Sequence, residues 1–317
     1  MNIIDLFSQN KLIQSWHAGV SNLGRQLIMG LSGASRALAI ASAYQANEEK
    51  IVIITSTQNE VEKLASDLSS LIGEDKVYTF FADDVAAAEF IFASMDKAHS
   101  RLEALNFLQD KKQSGILITS LVGARVLLPS PKTYSESQLN FLVGDLYNLD
   151  KIVKILSNVG YQKVSQVLNP GEFSRRGDIV DIYEITADYP YRLEFFGDEV
   201  DGIRQFDAQT QKSLSNVEQV TIYPADELIL SEEDFARASQ AFEKYLETAK
   251  DDQQAYLSEL YAATQEQYRH QDIRRFLSLF YAKEWTLLDY IPKGTPVFFD
   301  DFQKLVDRNT KFDLEVA

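Results

Sequence analysis

The sequence predicts an α/β fold with a parallel sheet, interrupted by a small α+β insert and helical in its second half. Three observations predict it. Residues 26–56, QLIMGLSGASRALAIASAYQANEEKIVIITS, pass from a short apolar run through a small-residue loop and an alanine-rich stretch into the β-branched run 51–55. That order reads strand, loop, helix, strand, the start of a parallel α/β layer. Between 163 and 223 the pattern changes to short alternating strands with turn residues. Residues 297–299 then form an apolar strand ending in Asp300 and Asp301, which belongs with the first sheet, so the insert divides one α/β domain.

The elements follow in order. Val61, Leu64, Leu68 and Ile72 stand at helical spacing, which predicts a helix over 61–72. Strands are expected at 77–81 and 116–119, with a helix over 95–108 between them. LLPSPKTYSES breaks the periodicity at Pro129 and Pro131 and marks a boundary. A helix over 150–159 precedes the strand-rich part, whose clearest hairpin is YRLEFF, a Gly197-Asp198 turn, and EVDGIRQF. Ser231 and Asp234 occupy capping-box positions before Phe235, Phe242 and Leu246 on one helical face. Tyr256, Leu260 and Tyr261, then Ile273, Phe276, Leu277 and Phe280, continue as further core-forming helices. Three segments are expected: 1–128, a nucleotide-binding type of fold; 129–222, the insert; and 223–317, helical with the closing strand.

Composition narrows the function classes. The 317 residues are 45% hydrophobic and 25% charged, enough apolar material for a real core and for about two or three compact units. With 47 acidic against 31 basic side chains the chain carries a net charge of −16, which phosphate backbones repel, so general nucleic-acid binding is disfavoured. Zero cysteine removes disulfides, thiolate nucleophiles and cysteine zinc sites. The N-terminal MNIIDLFSQNKLIQSW lacks the signal-peptide pattern, and no apolar run reaches bilayer length, so a soluble cytoplasmic protein is expected. His17, His99 and His270 show no metal-ligand spacing, so no metal site is assigned, nor any catalytic residue.

The loop GLSGASRA, residues 30–37, sits where a phosphate-binding loop would. Such a loop needs backbone N–H groups freed by glycines, a lysine for the β and γ phosphates and a hydroxyl for magnesium. Gly30 opens the loop and Gly33 lies within it, but the positions of the second glycine, the lysine and the hydroxyl hold Ser35, Arg36 and Ala37. Arginine keeps the charge without the compact ammonium, and alanine ligates no metal. Asp300 is a possible magnesium ligand, and Asp301 stands where a longer catalytic glutamate is usual. The alternative for Gly30 and Gly33 is a plain glycine turn, and for Asp300 and Asp301 a solvated turn.

Three motifs, LIMGLSGASRALAIAS, GEFSRRGDIVDIYEITADYPYRLEFFGDEVDGIRQFDAQTQKSL and TLLDYIPKGTPVFFDD, occur in the order seen in bacterial transcription-repair coupling factors (Mfd). The N-terminal part of that family is similar to the excision-repair protein UvrB, and the resemblance covers essentially the whole chain. It implies a degenerate P-loop NTPase (RecA-like) scaffold of UvrB type, with no cofactor of its own. ATP and Mg2+ would serve motor domains elsewhere in a longer protein, as would contacts to DNA and RNA polymerase. UvrB carries a tyrosine-rich hairpin for damaged DNA, whereas VYTFFADDVAAAEFIFASMDKAHSR has one tyrosine and no hairpin-like turn. The insert resembles a docking surface for UvrA, which other domains of the full-length chain would mask at rest. Matching the motif residue by residue carries the UvrA contact to Arg176, Arg192 and Phe196, with Arg175, Glu194 and Arg204 as neighbours.

Alternation supports that carry-over. Tyr191, Leu193 and Phe195 share one strand face, and Arg192, Glu194 and Phe196 share the other. An aromatic beside arginine on a solvent face has the composition of an interface hot spot. The alternative is that Phe196 covers the turn and Arg192 pairs with Glu194 or a cross-strand acid. Gly177 and Gly197 read as backbone turns.

Overall fold

The computed structural model describes residues 3–21, 24–82, 95–267 and 272–316. The chain divides into two compact units, residues 1–126 with 286–317, and residues 127–285.

The first unit is built on a four-stranded parallel sheet in the order Val297–Phe299, Lys50–Thr55, Gly115–Ser120, Val77–Phe80. On one face Ile51, Ile53, Ile116 and Ile118 meet Ala37, Ile40 and Tyr44 of the helix Ala34–Asn47 and Val61, Leu64 and Leu68 of the helix Gln58–Ile72. On the other, Ile54 meets Ala124 and Leu305. Burial on both faces is why these strands read as unbroken apolar runs. Thr57 caps its helix by accepting a hydrogen bond from the Glu60 backbone N–H. The closing strand joins this sheet as expected, with Ile53 opposite Phe298.

One expected strand is absent. Residues 24–29 have no regular structure, and Leu27 and Met29 lie largely exposed. Among the described residues none pairs with this run, and its apolar side chains stay in solvent instead of joining the four-stranded sheet.

The second unit carries a six-stranded sheet in the order Ser213–Val217, Glu199–Phe206, Tyr191–Phe196, Ile179–Ile182, Glu172–Arg176, Gln162–Lys163, antiparallel except for its last pair. The amphipathic helix Leu149–Asn158, capped by Asn148, lays Leu149, Ile152 and Leu156 against Phe173, Val180, Leu193 and Ile203. The opposite sheet face is buried around Ser174, Asp181 and Phe206 and exposed toward the hairpin end at Phe196. Gly197 takes a positive φ of 65° in the first position of the two-residue hairpin turn, and Gly177 a φ of 62° in the turn before Ile179. The expected Ser231–Asp234 capping box is present and starts the helix Glu232–Thr248, whose Phe235 and Phe242 pack with Leu260, Ile273, Leu277 and Phe280. These helices lie in the second unit, while the strand Val297–Phe299 lies in the first. No helix among the described residues is long and apolar enough to cross a membrane. Residues 83–94, part of the stretch expected to lack a hairpin turn, and His270 lie outside the described residues.

Candidate docking face and the glycine loop

The sheet face opposite the helix Leu149–Asn158 is organised by one carboxylate. Asp181, 1% exposed, stands opposite Arg192 in the ladder. Its Oδ1 accepts from Arg192 Nε at 2.7 Å and its Oδ2 from Arg192 Nη2 at 2.8 Å, a bidentate pair. The same Oδ2 accepts from Arg176 Nη2 at 3.0 Å. Arg192 is fixed further by donating to Gln211 Oε1 at 3.2 Å and by lying 4.5 Å over the centre of the Phe206 ring. The hydrogen bonds from Arg192 to Asp181 hold the guanidinium above its ordinary value, against the burial that would lower it. Sequence alternation put Arg192 on this face, and the cross-strand acid it pairs with is Asp181.

The candidates therefore differ in what they offer a partner. The Arg192 side chain is only 16% exposed, whereas that of Arg176 is 56% exposed. Two guanidiniums share one carboxylate, and the more accessible of the two is Arg176. Phe196, beside the turn, is 82% exposed and covers nothing. Glu194 lies on the same face and accepts from Arg204 Nη2, a pair that is neutral overall. Arg175 alternates to the opposite face and donates to Asp150 at 2.5 Å, beside the helix Leu149–Asn158. Arg176, Arg192, Glu194, Arg204 and Phe196 come together; Arg175 does not join them. Asp181, Gln211 and Phe206 are positioning residues that the motif match missed. The signal for Asp181 was in plain view, a lone acid inside the apolar strand Ile179–Ile182.

The glycine loop of the first unit is held by internal charge. Gly30 and Gly33 take positive φ angles of 86° and 55° on the way into the helix Ala34–Asn47. Ser35 turns its hydroxyl back onto the loop, donating to Ser32 O at 2.8 Å and accepting from Ser32 N at 2.9 Å. Arg36 donates from Nη1 to Asp300 Oδ2 at 2.7 Å and from Nη2 to Glu60 Oε2 at 3.1 Å. Burial pushes the Asp300 carboxyl above the ordinary aspartate range against the pull of Arg36. Burial also opposes the Arg36 charge, but Asp300 and Glu60 together keep the guanidinium above its ordinary value. Ala37 is buried in the core, and Asp301, at a φ of 53°, pairs with Lys304 at 2.9 Å. The loop thus brings Arg36 and Asp300 together and adds Glu60, which the sequence did not single out.

Residues 139–228 match the family model described as the UvrB interaction domain, a span that contains Arg176, Arg192, Phe196 and the rest of that sheet face. The chain is similar to transcription-repair-coupling factors. It is 31% identical over 315 residues to that of Bacillus subtilis (strain 168), covering 96% of this chain and 26% of the relative. It is 29% identical over 299 residues to that of Staphylococcus aureus (strain bovine RF122 / ET3-1), covering 91% and 25%. The chain spans about a quarter of the length of the curated relatives it matches. The resemblance to transcription-repair coupling factors extends over nearly the whole chain.

Proposed function

We propose that this chain is a UvrA-recruiting module of a transcription-repair coupling factor, acting in transcription-coupled excision repair. The observation that carries the reading is Phe196, 82% exposed at the hairpin turn and on the same sheet face as Arg176, within the segment that matches the UvrB interaction domain. An exposed aromatic beside an arginine with spare donors is suited to a partner surface offering an apolar pocket and a carboxylate. In the full-length protein an ATP-driven motor would displace stalled RNA polymerase on DNA, other domains would mask the docking face at rest, and the setting would be the cytoplasm.

In direct titration with purified UvrA, Phe196→Ala and Arg176→Ala are each expected to weaken binding by about 2 kcal/mol, roughly thirtyfold, with unchanged melting. Both variants binding like the parent would remove the reading.

On the same proposal the first unit is a degenerate P-loop, RecA-like scaffold without ATPase activity and without a cofactor. Its support is that the loop cation Arg36 is already compensated by Asp300 and Glu60 and that Ala37 has no hydroxyl for magnesium. Calorimetric titration with ATP and Mg2+ is expected to give no heat of micromolar binding. A micromolar site abolished by Arg36→Ala would instead favour an active UvrB-like ATPase. Salt-sensitive DNA binding by the chain would favour a DNA-binding module, against its net charge of −16.

A further inference from the structure

Phe196 has an apolar companion outside the motif. Among the exposed large apolar side chains described in the second unit, the two most exposed are Phe196 at 82% and Leu146 at 74%. They are 50 positions apart in the chain, yet the sheet brings them into one row. Leu146 bridges antiparallel to Glu199, and Glu199 pairs with Phe196 across the hairpin. Directly opposed residues in antiparallel ladders project to the same face, so Leu146, Glu199 and Phe196 share the side that carries Arg192 and Glu194. Two strand spacings separate the outer pair by about 10 Å.

Leu146 is held in that row by backbone bonds. Tyr147 N donates to Asp198 O at 2.7 Å, Val200 N to Asp145 O at 3.0 Å and Gly144 N to Val200 O at 2.8 Å. The Tyr147 hydroxyl donates to Asn140 O at 2.8 Å, and its ring lies 5.0 Å from that of Phe141. The segment is therefore a short extension of the sheet, and its leucine projects to solvent from a fixed backbone. A single exposed leucine is ordinary, but here a leucine and a phenylalanine flank the exposed Glu199 in one row beside Arg192 and Glu194.

The geometry points to Leu146 as a second apolar anchor of the docking face, entering the same UvrA surface as Phe196. This inference rests on the proposed docking of UvrA and is continuous with it in register. It specifies the partner surface: an apolar cleft about 10 Å long, with an N–H or basic donor midway for the exposed Glu199 and an acid toward Arg176.

The test is titration of the intact chain with purified UvrA, comparing Leu146→Ala, Leu146→Met and Phe196→Ala. The expected result is a loss of about tenfold or more for Leu146→Ala, near-parental binding for Leu146→Met, and a loss for Phe196→Ala. Because Leu146 acts through apolar contact, its loss should persist at high salt, while that of Arg176→Ala shrinks. Thermal melting of Leu146→Ala should match the parent, since the side chain is exposed. If Phe196→Ala weakens binding and Leu146→Ala does not, the second anchor is wrong and the docking reading stands. If neither weakens binding, both fall.

Discussion

Asp181→Ala is expected to destabilise the second unit by about 3 kcal/mol, with a clear fall in the midpoint of urea or thermal unfolding of the intact chain. The carboxylate is 1% exposed and accepts three charge-assisted hydrogen bonds from two arginines. Removing it strips Arg192 of its bidentate partner while that side chain is still largely covered, and an uncompensated buried charge costs more than the lost bonds alone. Arg176 can turn to water, so its share of the loss is small. Asp181→Asn keeps the shape and part of the hydrogen bonding, and should cost distinctly less. A loss below about 1 kcal/mol for the alanine variant would mean that Arg192 finds solvent freely and that the clamp is not what orders this face.

That clamp also shows how far the sequence could be read. The parallel strands, the capping box of Ser231 and Asp234 and the hairpin around Gly197 were legible because each is a local pattern: a buried apolar run, a cap three residues before its acid, a glycine at a turn. Placement of the arginines was legible only in part. Arg175 and Arg176 are neighbours in the motif, but strand alternation sends the first toward Asp150 and the second toward Asp181. Partners set by strand order have no signature in spacing: Asp181 meets Arg192 eleven positions away, and Arg36 meets Asp300 264 positions away. Leu146 was invisible for the same reason, since only the bridge to Glu199 aligns it with Phe196. The apolar run before Gly30 misled because it has strand composition but no partner strand among the described residues.

Phe206→Ala is the second large effect expected, a loss of about 3–5 kcal/mol in stability. Phe206 is fully buried at the end of the strand Glu199–Phe206, on the face where Arg192 covers it. Two terms contribute, the removal of a buried ring and the contact of the guanidinium with its face. The first dominates, because a cation over a ring is worth about 0.5–2 kcal/mol while the cavity and lost burial account for the remainder. Phe206→Leu separates them: it keeps most of the apolar volume, loses the π face, and should cost about 1–2 kcal/mol. Equal losses for the two variants would assign the effect to the arginine contact. The comparison bears on docking as well, because it divides the two arginines by role. Arg192, gripped by Asp181, Gln211 and Phe206, should lose both stability and UvrA affinity when replaced by alanine. Arg176, with an exposed side chain and one shared carboxylate, should lose affinity alone, so unfolding and binding measured on the same two variants distinguish the residue that builds the face from the residue that offers it.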